Sequence, residues 1–139
     1  MWMYKGKVWE PVNGEMRKYE GFVYCITNMT NGMKYIGKKA FWSRTKLPPL
    51  KGKTRKRHVI KESNWRDYYG SSDEVKMLVE ELGYDKFKRE ILHFCETKGE
   101  MSYMELKEQV EREVLFDDSY YNGIVQVRIN RNHVKSMKT

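Results

Sequence analysis

Gly21-Phe22-Val23-Tyr24-Cys25-Ile26-Thr27, then Asn28-Met29-Thr30-Asn31-Gly32, then Met33-Lys34-Tyr35-Ile36-Gly37: this stretch decides the fold. Its first part is rich in β-branched and aromatic residues and reads as a strand. The Asn/Thr/Gly cluster reads as a turn, and 33–37 as the returning strand. Register decides what the hairpin can do. A two-residue turn at Asn31-Gly32 sets Tyr35 opposite Asn28, four positions from Tyr24 and too far to share a site. A four-residue loop, paired as Thr27 with Gly32 or as Asn28 with Met33, puts Tyr24 and Tyr35 on one face as near neighbours. The pattern alone leaves both pairings open.

Outward from the hairpin, residues 2–19 alternate polar and apolar around Asn13-Gly14, which predicts a ribbon of 4–11 with 16–19. Residues 38–46 read as a short helix ahead of Pro48-Pro49. Ser71 or Ser72 caps a helix through Leu82, with Val75, Leu78, Val79 and Leu82 on one apolar face and Gly83 as its stop. Residues 87–94 form a third strand. Ser102 caps a second long helix to about Leu115, with Glu105 completing a capping box. A final extended stretch runs through Ile129. Together these predict an α+β domain: a small three-stranded antiparallel sheet flanked by helices, with an extra N-terminal β-ribbon. One domain fills 1–139, divided into a ribbon (1–20), a core (21–124), a basic loop insertion (47–64) and a tail (125–139).

The chain has 139 residues, 33% charged and 14% aromatic, which is globular composition for one domain. No apolar run reaches the roughly 20 residues of a membrane helix, and the first residues lack the apolar stretch of a signal peptide. Cys25 and Cys95 sit in apolar settings without metal-ligand spacing, which argues against a disulfide scaffold or zinc finger. The expectation is a small soluble intracellular domain with no membrane partner.

The net charge of +8 is unevenly placed. From Lys34 to Lys61 there are eleven Lys or Arg and no Asp or Glu, leaving 16 basic residues against all 19 acidic ones elsewhere. The densest part, Lys51-Gly52-Lys53-Thr54-Arg55-Lys56-Arg57-His58, follows two prolines and reads as an exposed basic loop. Lys38, Lys39, Lys51, Lys53, Arg55, Lys56 and Arg57 are the candidate nucleic-acid contacts, because such side chains displace counterions from phosphates. Trp42 and Trp65 bracket the loop and are of a type that stacks on unpaired bases. A solubilising loop or a localisation signal is the bland alternative.

Val23-Tyr24, followed after ten residues by Tyr35-Ile36-Gly37, resembles the two halves of the GIY-YIG nuclease motif. Phe22-Val23-Tyr24 stands where Gly-Ile-Tyr is expected, with Gly21 just before it; the second half is literal. The order of elements over 21–124 is also similar, closest to the phage-type homing-endonuclease-like branch. That resemblance implies a metal-dependent DNA endonuclease, acting in the host cytoplasm for a phage-encoded protein. It implies one Mg2+ (or Mn2+) ion per site on Glu108, with Glu105, Glu111 and Glu113 on the same helix as the alternatives, Arg44 at the scissile phosphate and Tyr24 accepting or relaying the water's proton. Tyr35 would position water or phosphate, and Asn122 would tie the C-terminal segment to the active face. The resemblance also puts double-stranded DNA as substrate, with a second copy or a partner supplying specificity. A family His or Tyr is replaced by Pro48, for which His58, Tyr68 or Tyr69 are substitutes. Each residue has a plainer role: packing for the tyrosines, a basic-loop charge for Arg44, an Arg112 pair for Glu108, a turn for Asn122. Taken together, those plainer roles describe a catalytically silent nucleic-acid-binding module retaining the fold.

Overall fold

A computed structural model describes residues 1–12 and 14–137. The hairpin strands are β3 (Gly21–Asn28) and β4 (Lys34–Ala40), preceded by β1 (Trp2–Tyr4) and β2 (Lys7–Val8). Next come β5 (Trp42–Leu47), β6 (Arg57–Glu62), α1 (Asp73–Leu82), β7 (Phe87–Cys95) and α2 (Lys98–Glu111). All eight residues of β3 are buried. Phe22, Tyr24 and Ile26 meet Trp2, Phe41, Trp65 and α1 on one face, while Val23 and Cys25 meet Ile36, Cys95 and α2 on the other. The period-2 alternation of an apolar strand thus fills two cores at once. Both cysteines are buried thiols.

The sheet has five strands, not three, in the order β2-β1-β7-β3-β4. β1 pairs with β7 in parallel, Trp2 against Arg89, because the Trp2 indole buries its ring on Phe22 and Tyr24 and donates to the Trp65 carbonyl (2.8 Å). The N-terminal ribbon turns at Lys5-Gly6, both with positive φ (50° and 81°), the signature of a tight two-residue hairpin. The sequence pattern had placed it at Asn13-Gly14. Glu15–Lys18 is instead a 3-10 turn, and Asn13 lies outside the described residues.

The expected helix over 38–46 is absent: 38–40 stay paired to β3, and β5 and β6 form a separate two-stranded sheet. Phe41, fully buried, anchors the junction. The basic insertion is therefore a β-ribbon with an exposed tip rather than a loop. Trp65 is core, 2% exposed, and so is not free for stacking on bases, while Trp42 is half-buried with its indole on the Tyr19 carbonyl (3.0 Å). Ser72 caps α1 as expected, and Gly83 ends it at φ 99°. Helix α2 begins a turn earlier than predicted. Its cap is Thr97, which accepts from the Glu100 N–H (3.0 Å), while the Glu100 carboxylate accepts from the Glu96 N–H (2.8 Å). Beyond Tyr120, which bridges Lys34, the chain up to Asn130 has no regular structure, and Arg131–Met137 is a 3-10 segment against α2. Among the described residues no helix is long and apolar enough to cross a membrane.

Candidate active site

The hairpin closes on the second of the two open registers: the Asn28 N–H donates to the Met33 carbonyl (2.8 Å) around a four-residue loop. Tyr24 thus pairs with Gly37 and Ile26 with Tyr35, and the two phenol rings lie 6.3 Å apart on one face. Gly37 matters for its missing side chain. A Cβ there would collide with the Tyr24 hydroxyl, so this glycine lets the phenol reach across β4 toward the sheet's outer edge. Tyr68 stands edge-on to Tyr24 at 6.0 Å, and the Tyr35 hydroxyl is hydrogen-bonded to Ser71 (3.0 Å). Gly70, at φ 95°, brings its backbone against both phenols.

From the opposite face α2 meets the same edge. Ser102, Glu105 and Gln109, at i, i+3 and i+7, form one flank of the helix. Ser102 accepts from the Lys38 ammonium (2.8 Å), and Gln109 donates to the Ile36 carbonyl (3.3 Å). Glu105 lies on that flank between Ser102 and Gln109, beside Lys38, and its charge is felt at both phenols. Burial raises its carboxyl above the ordinary value, and the Lys38 ammonium and backbone N–H draw it partly back. Tyr24 is 1% exposed. Burial first, then Tyr68, Tyr35 and Glu105, push its phenol well above its usual range. Burial likewise raises Tyr35, against the opposing hydrogen bond to Ser71. On the protein's own groups both phenols are therefore neutral near pH 7. That is the reverse of the ionised Tyr24 that proton acceptance requires. Lys39 lies 4.3 Å from the centre of the Tyr68 ring and adds a second cation.

Two of the expected residues are not brought to this cluster. Arg44 sits on β5 with its guanidinium forked onto the Glu20 carboxylate. Glu108 is on the other flank of α2, clamped between His93 on β7 and Arg112 (2.7 Å each). Burial raises its carboxyl, but the hydrogen bonds and charges of Arg112 and His93 outweigh that and hold it below the ordinary value. The physical reason is the packing of α2: Met101 and Gln109 are its buried residues, the flank of Ser102 and Gln109 meets β4, and Glu108 falls on the side toward His93 of β7. Asn122 ties the C-terminal segment to β4: it accepts from the Ile36 N–H (2.9 Å) and donates to the Ile36 carbonyl (2.8 Å). With the Lys34 bridge it covers the free edge of β4. Of the three substitutes for the residue at Pro48, Tyr68 reaches the site. Tyr69 stacks on Arg89 and Tyr84, and His58 lies on the ribbon. Lys51, Lys53, Arg55, Lys56 and Arg57 are all exposed at the ribbon tip.

A family model described as "Putative endonuclease segE, GIY-YIG domain" matches residues 2–125. The chain belongs to the GIY-YIG family. A relative described as "Putative endonuclease segE", from Enterobacteria phage T4, is 31% identical over 121 residues, covering 84% of this chain and 49% of the relative. The chain thus spans about half the length of that curated relative. No solved structure matches it significantly. In this GIY-YIG domain the literal half of the motif explains itself: Tyr35 shares a face with Tyr24, Ile36 supplies the edge amide held by Asn122, and Gly37 clears the path for the Tyr24 hydroxyl.

Proposed function

We propose that the chain is a homing-endonuclease-like, divalent-metal-dependent endonuclease that hydrolyses phosphodiester bonds of double-stranded DNA. Its site is Tyr24, Tyr35, Tyr68, Lys38 and Glu105. One observation carries this reading: Gly37 opens β4 so that the Tyr24 hydroxyl reaches the edge where Glu105 arrives from the other face. Among the described residues no group of three or more His, Cys, Asp or Glu gathers. An ion here would rest on one protein carboxylate, Glu105, which suits a hard Mg2+-class cation that keeps waters and substrate oxygens. Glu105 is half-buried, and an ion there would take the place beside its carboxylate that the Lys38 ammonium otherwise shares. The ion, when bound, supplies charge neutralisation at the phosphate and leaving oxygen.

The chain's own groups supply the rest. The Tyr24 and Tyr35 hydroxyls, neutral and fixed by packing and by Ser71, orient the attacking water and donate to phosphate oxygens. Lys38 and Lys39 place positive charge where negative charge accumulates, the role first given to Arg44. A second reading, a DNA-binding module without cutting, is favoured by the commitment of Arg44 to Glu20. Supercoiled plasmid incubated with Mg2+ or Mn2+ and with EDTA separates the two. Metal-dependent nicking that Tyr24→Phe abolishes supports the enzyme; binding without nicking supports the module.

A further inference from the structure

The β5–β6 ribbon plays no part in the chemistry above, yet it carries the largest excess of positive charge among the described elements. Residues 42–62 carry eight Lys or Arg and a single acid, Glu62, which sits at the base and accepts from Trp65 and Arg66. Both faces of the ribbon are largely exposed. A lone two-stranded hairpin is marginally stable in water, so its built-in anchors are informative. Phe41 is buried beneath it, the Ser63 N–H and hydroxyl donate to the Phe41 and Ala40 carbonyls (2.7 and 2.6 Å), and Trp42 donates to Tyr19. The base is fixed and the tip projects.

The two faces differ. The register puts Arg44 and Ile60 on one face, and the Arg44–Glu20 pair draws that face against the groove formed by Arg17 and Tyr19. Ser43, Thr45, Arg57, Val59 and Lys61 are on the other. Near its base this second face shares a trough with Lys39, which in turn covers Tyr68 beside Tyr24. Lys39 therefore links the free face of the ribbon to the tyrosine cluster.

We propose that this ribbon reads the DNA sequence, entering the major groove of a B-form duplex with the Thr45–Arg57 face on the base edges. This rests on the DNA-endonuclease reading. Strands about 4.8 Å apart, with their side chains, fill a groove about 12 Å wide. Six-residue strands reach about 20 Å, enough to traverse it. Arg57 donates from Nε to the Pro48 carbonyl (3.2 Å), which steadies the guanidinium and leaves its terminal nitrogens for a guanine edge. Val59 offers methyls to a thymine methyl, and Lys51 and Lys53 at the tip take phosphates. The deep, narrow major groove of A-form RNA does not admit such a ribbon.

The test is selection from duplexes with a randomised centre, using the full chain in EDTA so that nothing is cut. The wild type enriches a common motif. Thr45→Ala/Arg57→Gln lowers that enrichment by about tenfold, and Arg57→Lys keeps overall affinity while changing the preferred base. Lys51→Gln/Lys53→Gln weakens all duplexes alike and flattens the salt dependence. Replacing purines of the motif by their 7-deaza forms, which lack the major-groove acceptor, weakens wild-type binding by about tenfold. Absence of a motif, a motif unchanged in the Thr45/Arg57 variants, indifference to 7-deazapurines, or equal binding to duplex RNA each overturns the proposal. The experiment needs no cleavage. A motif found by a protein that fails to nick with metal sinks the nuclease reading alone; intact nicking with the motif untouched by ribbon substitutions sinks the ribbon alone.

Discussion

Replacing Gly37 by alanine tests the geometry that joins the two faces of the sheet. The new Cβ collides with the Tyr24 hydroxyl and stands 2.6 Å from Cζ and 3.1 Å from Cε1 of the same ring. Ordinary carbon contacts are about 3.5–4.0 Å, so the ring must retreat by roughly 1 Å. It cannot swing to solvent, being 1% exposed and wedged against Trp2 and Tyr68. Overpacking of this kind destabilises by about 1–3 kcal/mol. A displacement near 1 Å in a positioning group lowers the chemical rate by about a hundredfold, which is about 2.7 kcal/mol in the barrier. Single-turnover nicking of supercoiled plasmid at saturating protein reads the rate free of binding, and circular dichroism confirms the fold. Because Gly37→Ala and Tyr24→Phe act on the same hydroxyl, the double variant is scarcely slower than the worse single one. A folded Gly37→Ala protein that nicks at the wild-type rate, or a double variant whose loss is the product of the two, refutes the reasoning.

Other substitutions probe the surroundings. Glu108→Gln, which breaks the His93–Glu108–Arg112 clamp, lowers stability near neutral pH by about 1.5–3 kcal/mol. The native carboxyl is held below its ordinary value, so the clamp's contribution is present above that value and fades as pH falls through the lowered one. Wild-type and variant melting curves measured against pH therefore converge in acid, and a gap that widens there contradicts the clamp. Asn122→Ala leaves the Ile36 amide without its acceptor, destabilises by about 1–3 kcal/mol, and speeds hydrogen exchange at Ile36; unchanged exchange argues against the edge cover. Arg44→Ala removes an exposed pair worth less than about 1 kcal/mol. It leaves nicking within about tenfold of wild type, whereas a thousandfold loss would restore Arg44 to the scissile phosphate.

The hairpin was readable because its residues obey one rule throughout: a period of two, a glycine turn, and aromatic weight on one side. Helix α1 was readable because Ser72 and Gly83 mark its ends chemically. The ribbon was not, since strands exposed on both faces show no apolar alternation, and Pro48-Pro49 with the surrounding lysines imitates a loop. Nor was the start of α2, where Gly99 in the first turn hides the Thr97/Glu100 cap. That glycine is explained only by the tail, because a Cβ there would strike the His133 carbonyl. The choice among the acids of α2 is not legible either: Glu108 follows from the family resemblance and its spacing to Asn122, and Glu105, Glu111 and Glu113 stand on the same helix. The Ser102-Glu105-Gln109 stripe, one flank of that helix at i, i+3 and i+7, is the pattern that marks the side turned to β4. The N-terminal pairing was hidden for another reason. A parallel partner 87 residues away leaves no local trace, and Lys5-Gly6 is a weaker turn signal than Asn13-Gly14.

The two glutamates of α2 give the most direct test. Metal-dependent nicking by Glu105→Gln and Glu108→Gln is compared at a temperature where both are folded. Loss of at least about a hundredfold in Glu105→Gln, with Glu108→Gln near wild type, is the outcome that a site at the outer edge of β4 requires. The opposite ranking would move the chemistry to the His93 side of the helix and contradict that site.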